Sequence, residues 1–311
     1  MTPRGLTRLR IADLVVELPA DLELPDEAVL EANLRPFTEE SAGPADIVVG
    51  RVALPVDEVS LPEGSFRVDV NRAGGRADDD PVVKPYWLWD ASFSIHVRGA
   101  LASALEVVAG IHLGLAHLLP KRDGLLLHAS AVRAAGSAFV FAGPAESGKS
   151  TAANGFTGGT LLADERVAVR CAAPGSQFTA HSSQRRSSTP TPTPTGESRT
   201  GTRWKGYPVP MWGGKYAPVA SDVVPLAMVV AVRKNAPLAA SVMTATAAMG
   251  VLARAVVHNH YDGMRAEWVL GVLARLATEV PVVELSYGLG ESFADVLLGR
   301  AGTVRREEAS C

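Results

Sequence analysis

Apolar positions recur along this chain with two spacings, and each predicts a different element. Leu101, Leu105, Val108, Ile111, Leu115 and Leu118 fall three or four residues apart, the repeat that lines one face of a helix, so a helix is predicted over Leu101–Leu119. Pro120 and the run Lys121-Arg122-Asp123-Gly124 close it. Met243–Val257 and Arg265–Ala277 carry the same repeat and are predicted helices. Short apolar runs bounded by Pro, Gly and Asp predict strands instead: Leu14–Leu18, Asp46–Val52, Phe66–Val70 and Ser92–Val97 early in the chain. Later runs are Leu125–Val132, Ala138–Ala142, Thr160–Ala163, Val167–Cys171, Val223–Val232 and Val280–Leu285. From about Ala172 to Thr202 the pattern dissolves into Ser, Thr, Pro, Gly, Gln and Arg. The alternating prolines of 189–195 remove backbone donors and favour a surface excursion over core.

The runs Leu125–Val132 and Ala138–Ala142 flank Ala134-Ala135-Gly136, a short turn, and predict an antiparallel hairpin. A hairpin symmetric about Ala135 places His128 opposite Ala142, next to the segment that follows. That segment is Gly143, Pro144, Ala145, Glu146, Ser147, Gly148, Lys149, Ser150 and Thr151, which fits G-x-x-x-x-G-K-[ST] without a mismatch. Each residue type has a reason to be there. Backbone amides must wrap phosphate groups closely, which glycines at 143 and 148 permit. Lys149 brings a cation to the β- and γ-phosphates of ATP, and Ser150 offers a hydroxyl to Mg²⁺. A short helix is expected from Lys149, because Asn154-Gly155 and Gly158-Gly159 break it, and its positive end faces the bound anion. Glu146 brings a negative charge to this loop and must face solvent or a cation. Asp164-Glu165 ends the strand after that helix, where an acid holds Mg²⁺ directly or through water.

Composition narrows the alternatives. With 47% hydrophobic and 20% charged residues, the chain has the make-up of a globular protein of one large or two modest domains. A formal net charge of −3 gives no global attraction to nucleic acid or an anionic membrane, so an anionic ligand needs a local site. The longest apolar stretch is interrupted by Glu106, His112 and His117 and reads as a helix of the core, not a membrane span. Cys171 and Cys311 are too few for a disulfide framework or a cysteine zinc site. No secretory signal opens the sequence, so a cytoplasmic protein is expected. The aromatic patch Tyr86-Trp87-Leu88-Trp89 is read as packing, and His258-Asn259-His260 with Asp262 as structural or surface residues. Lys215, in a Gly-rich loop, is a candidate contact for substrate or phosphate.

Three strings together resemble the HPr kinase/phosphorylase-like family: Leu127-His128-Ala129-Ser130-Ala131-Val132, the loop 143–151, and Leu161-Leu162-Ala163-Asp164-Glu165-Arg166-Val167-Ala168-Val169. The likeness is nearest to the compact members found beside peptide-modification genes, including lasso-peptide clusters. Val224-Pro225-Leu226-Ala227 and Pro281-Val282-Val283-Glu284-Leu285 look like the family's final strands. The resemblance covers about 125–285. It implies an α/β fold, a P-loop kinase domain of the HPr kinase/phosphoenolpyruvate carboxykinase type over about 121–300. A smaller β-rich α+β region precedes it at 1–120, and a tail follows at 301–311. It further implies ATP with Mg²⁺ and phosphoryl transfer to a serine hydroxyl of a peptide, protein or small molecule. Asp164 would be the base, Lys149 and His128 would join it in catalysis, and Ser150, Asp164 and Glu165 would serve the metal. The family tends to oligomerise, which leaves a homo-oligomer open. Positions 145 and 146 are Ala and Glu where Ser and Gly are common, and Glu165 stands where a second Asp is usual. Two other readings of the residues remain: a nucleotide-binding switch or accessory protein with weak or no transfer, and a recognition module built on residues 1–120.

Overall fold

A computed structural model of the chain describes residues 8–18, 27–39, 45–52, 65–68, 93–98, 104–172, 203–210, 223–257, 263–288 and 290–310. The Thr-Pro excursion, the aromatic patch at 86–89, the His258–Asp262 group and Lys215 lie outside these residues. The architecture is mixed α/β, with two sheets. The first contains β1 (Arg8–Ile11), β2 (Leu14–Glu17), β3 (Ile47–Val52), β4 (Ser65–Val68) and β5 (Phe93–Arg98) in the order β1-β2-β3-β5-β4. Helix α1 (Glu27–Leu34) follows β2, and α2 (Ala104–Leu118) carries the chain on to the second sheet. Leu9, Val16, Leu34, Ile111 and Leu115 share one apolar cluster with Leu126, Ala168 and Tyr207 of that sheet. The core therefore runs across residue 120.

The second sheet holds β6 (Gly124–Leu127), β7 (Ala129–Ala134), β8 (Ser137–Ala142), β9 (Thr160–Ala163), β10 (Val167–Cys171), β11 (Trp204–Pro208) and β12 (Val224–Lys234). It also holds β13 (Ala239–Val242) and β14 (Val282–Tyr287). Its path is β6-β10-β11-β12-β8-β7-β9, with β14 joining β12 and β13 joining β14. Helix α3 (Lys149–Asn154) follows β8. Helices α4 (Ala245–Ala255) and α5 (Gly263–Glu279) lie between β13 and β14, and α6 (Ala294–Ser310) ends the described chain. The two-residue period of a strand sorts β8 onto two faces. Ala138, Val140 and Ala142 pack with Leu252 of α4 and Leu273 and Leu276 of α5. Phe139 and Phe141 pack with Ala152, Phe156 and Leu297 on the other side.

Two expectations are corrected here. The run Leu125–Val132 is two strands, not one, broken at His128: β6 pairs with β10, and β7 pairs with β8 and β9. The hairpin is also not centred on Ala135. Ala135 and Gly136 form a two-residue loop, with φ of 48° and 72°, between the paired residues Ala134 and Ser137. Two successive left-handed residues match the right-handed twist of the flanking strands. The register is thereby moved by one, and Ala129, not His128, faces Ala142. The sequence pattern did not predict β13 or α6. Helix α6 runs through the expected tail from 301 onward.

The first sheet is anchored to the second by polar contacts. The β1–β2 turn places Asp13 so that its carboxylate accepts from the Tyr207 hydroxyl at 2.7 Å and Arg170 at 2.9 Å. His112 of α2 donates from Nε2 to the Pro210 carbonyl at 2.7 Å. Burial drives the His112 pKa from 6.5 down to about 4, against the raising effect of the Pro210 bond, and nearby Arg166 lowers it further. A depressed histidine stabilises the fold above its unfolded value, and that stability is lost as pH falls from 6.5 towards 4, where the unfolded chain takes the proton first. His112→Gln, which stays neutral, is expected to flatten the loss of stability between pH 7 and pH 4 by about 2–3 kcal/mol. Thermal melting of both proteins across that range measures it, and parallel curves would refute the assignment.

Candidate functional site

The site is assembled at one edge of the second sheet. Strand β9 runs antiparallel to β7, and β7 antiparallel to β8, so β8 and β9 end on the same side. Open α/β sheets bind ligands beyond the carboxyl ends of their strands. The loop 143–148 leaves the end of β8 there, and Asp164 leaves the end of β9 there. Between them lies the start of β7, which carries Ser130.

The loop needs its two glycines for separate reasons. A Cβ on Gly143 would stand 2.6 Å from Ser147 Oγ and 3.2 Å from its Cβ, so Ser147 would have to shift to admit it. Gly148 has φ of 96°, in the region that penalises every other residue, and leads directly into α3. The Tyr287 hydroxyl donates to the Gly148 carbonyl at 3.1 Å and fixes that corner. Pro144, Ala145 and Glu146 are exposed, and so is Thr151 on α3. Glu146 faces solvent, which removes the charge problem raised by its position. It adopts φ of 62°, which explains why glycine suits that place.

Lys149 is only 7% exposed, and its ammonium donates to the carbonyls of Gly143 at 3.1 Å and Pro144 at 2.8 Å. Burial lowers its pKa, while the Asp164 carboxylate pulls it back up. Ser150 donates from Oγ to Asp164 Oδ1 at 2.8 Å. The structure thus brings Ser150, Lys149 and Asp164 together. Among the described residues, Ser147 Oγ is buried without a hydrogen-bond partner inside the same loop.

His128 sits at the break between β6 and β7, where its backbone amide donates to the Ala255 carbonyl. Arg166 donates to His128 Nδ1 and also to the Glu165 carbonyl. A guanidinium can only donate, so Nδ1 is the accepting nitrogen and the ring proton sits on Nε2. Burial lowers the His128 pKa, and Lys149 and Arg166 lower it further. His128 is therefore a neutral donor beside the loop, although the register differs from the expected one. Glu165 is exposed, with φ of 65°. Its backbone serves the site: its amide donates to Asp164 Oδ1 at 3.1 Å and its carbonyl accepts from Ala129 at 3.2 Å.

Two residues were not singled out from the sequence. Ser130 is fully buried and donates to Asp164 Oδ1 at 2.6 Å. Its only sequence signal is a lone polar residue in an apolar run. Arg166 has a buried Nε without a partner, and it follows the acid pair that the sequence does mark. Among the described residues no three His, Cys, Asp or Glu side chains gather as a metal site, and no helix is long and apolar enough to cross a membrane. No protein-family model matches the chain, and no curated protein is significantly similar to it.

Proposed function

We propose that this chain is an ATP-dependent phosphotransferase of the HPr kinase-like type, acting in the cytoplasm on a hydroxyl of a peptide, a protein or a small molecule, a serine first among them. The observation that carries this reading is the 2.8 Å bond from Ser150 to Asp164. It joins the hydroxyl that ends the phosphate-loop motif to the acid at the end of a neighbouring strand. The donor set suits Mg²⁺, which takes hard oxygens from one or two carboxylates and completes its shell with phosphates and water. Ser150 and Asp164 would hold it, and it would neutralise phosphate charge when bound. Glu165, expected to share that task, also offers its amide to Asp164 Oδ1, and its exposed carboxylate acts on the charge of Lys149.

The chain's own residues have distinct tasks. Backbone N–H groups of 145–150 and the Lys149 ammonium bind and orient the β- and γ-phosphates of the nucleotide. His128 donates from Nε2 to an oxygen of the transferring group. Asp164 takes the proton of the acceptor hydroxyl as the oxygen–phosphorus bond forms and ADP leaves with the electron pair of the broken bond. Positioning and charge account for most of the catalysis in such a transfer.

The test uses the full chain. Calorimetry is expected to show ATP binding that strengthens with Mg²⁺, and γ-labelled ATP is expected to label an acceptor encoded by an adjacent gene. Binding with no label on any acceptor would favour a nucleotide-dependent switch, and absence of binding would reject both.

A further inference from the structure

The two oxygens of Asp164 have different surroundings. Oδ1 accepts three hydrogen bonds, from Ser130 Oγ at 2.6 Å, Ser150 Oγ at 2.8 Å and the Glu165 amide at 3.1 Å. Oδ2 accepts none among the described residues. The residue is only 8% exposed, so little bulk water reaches it. An oxygen that already meets three donors has no lone pair left for a fourth partner, so Oδ2 is the oxygen left open.

The three donors are not equivalent. Ser150 belongs to the phosphate loop, and its oxygen is shared with whatever the loop binds. The Glu165 amide is a neighbour in the chain, and its 3.1 Å bond is the longest of the three. Ser130 belongs to neither motif. It comes from β7, which the sheet order places between the loop strand β8 and the acid strand β9. Its hydroxyl lies 3.4 Å from Ser150 Oγ, and its residue is fully buried. A buried hydroxyl with a short bond to a carboxylate is a fixed donor, and charge-assisted bonds of this kind are about twice as strong as neutral ones.

We propose that Ser130 is a positioning residue that holds Asp164 by Oδ1, so that Oδ2 is the oxygen left to face the metal and the acceptor hydroxyl. This rests on the phosphotransferase reading. In the transfer, the acceptor's proton goes to Oδ2, its oxygen bonds to the γ-phosphorus, and the bond to the ADP oxygen breaks. Ser130 touches neither substrate nor phosphate. It acts by denying Asp164 the freedom to turn its carboxylate.

The experiment compares wild type with Ser130→Ala and with Ser130→Cys, which keeps nearly the same volume but donates weakly. The full chain is mixed with ATP and Mg²⁺, water serves as acceptor, and affinity and single-turnover phosphate release are measured separately. Both variants are expected to bind ATP within about twofold of wild type and to release phosphate roughly 10- to 100-fold more slowly, the share of a positioned general base. A residue that mattered only for folding would not separate rate from affinity in this way. Equal release by wild type and by either variant that binds normally overturns the proposal and leaves the phosphotransferase reading intact. Wild type that binds ATP but never releases phosphate overturns the proposal, and the labelling of an acceptor then decides the transfer reading by itself. Wild type that does not bind ATP removes the nucleotide site itself.

Discussion

Lys149→Met is expected to lower the proposed phosphoryl transfer by about 100- to 1000-fold, equivalent to roughly 3–4 kcal/mol of transition-state stabilisation. The reasoning starts from the burial of the ammonium. Lys149 is held among Gly143, Pro144 and Asp164, where a positive charge acts through less water than at the surface and so acts strongly. Its two bonds to loop carbonyls can be exchanged for bonds to phosphate oxygens without moving the backbone. Methionine keeps the length and packing of the side chain and removes the charge. Melting of the variant is expected to remain close to wild type, while ATP affinity falls with the rate. Single-turnover release and calorimetry on the same preparation check both. Undiminished ATP affinity in the methionine variant would mean that the loop does not hold polyphosphate.

The second large effect is expected at Asp164. Asp164→Asn is expected to slow transfer by about 10²- to 10⁴-fold, the contribution of a general base, with ATP affinity changed by less than about tenfold. Asparagine retains an oxygen that can accept from Ser130, Ser150 and the Glu165 amide, so the surrounding bonds survive. Its amide group then occupies the place of Oδ2 and cannot take a proton. Asp164→Ala behaves differently, because it strands the fully buried Ser130 hydroxyl and takes the acceptor from the half-buried Ser150 hydroxyl. Each stranded buried donor costs about 1–3 kcal/mol, so the alanine variant is expected to lose stability as well as activity. Thermal melting beside the rate assay distinguishes the two substitutions. An asparagine variant as fast as wild type would remove Asp164 from the chemistry.

The loop 143–151 was legible because its residues are contiguous and each carries its reason with it. Asp164 was legible because an acid that closes an apolar strand is conspicuous. Ser130 was not, since its meaning depends on which strand lies between β8 and β9, and only the folded sheet decides that. A single serine in an apolar run otherwise reads as one tolerated hydroxyl. Arg166 was missed for a related reason: the left-handed turn at Glu165 leads into it, and it meets a histidine that only the β6–β10 register sets opposite it. The break at His128 was hidden because both halves of Leu125–Val132 are buried, which erases the alternation that would mark two strands. Strand β13 is largely exposed and short, so its residues carry little apolar signal. The apolar face of α6, from Ala294 through Leu297 and Leu298 to Ala301, is diluted by Gly299 and Gly302.

The interposed position of β7 makes the chemistry sensitive to length more than to composition. Side chains alternate along a strand, so one residue added or lost between Ser130 and Ala134 would turn Ser130 to the other face of the sheet and put an alanine near Asp164. Exchanges at Ala131, Val132 or Ala134 alter packing and leave the reactive groups where they are. Descendants of this chain are thus free to vary in the letters of that stretch, but not in their number.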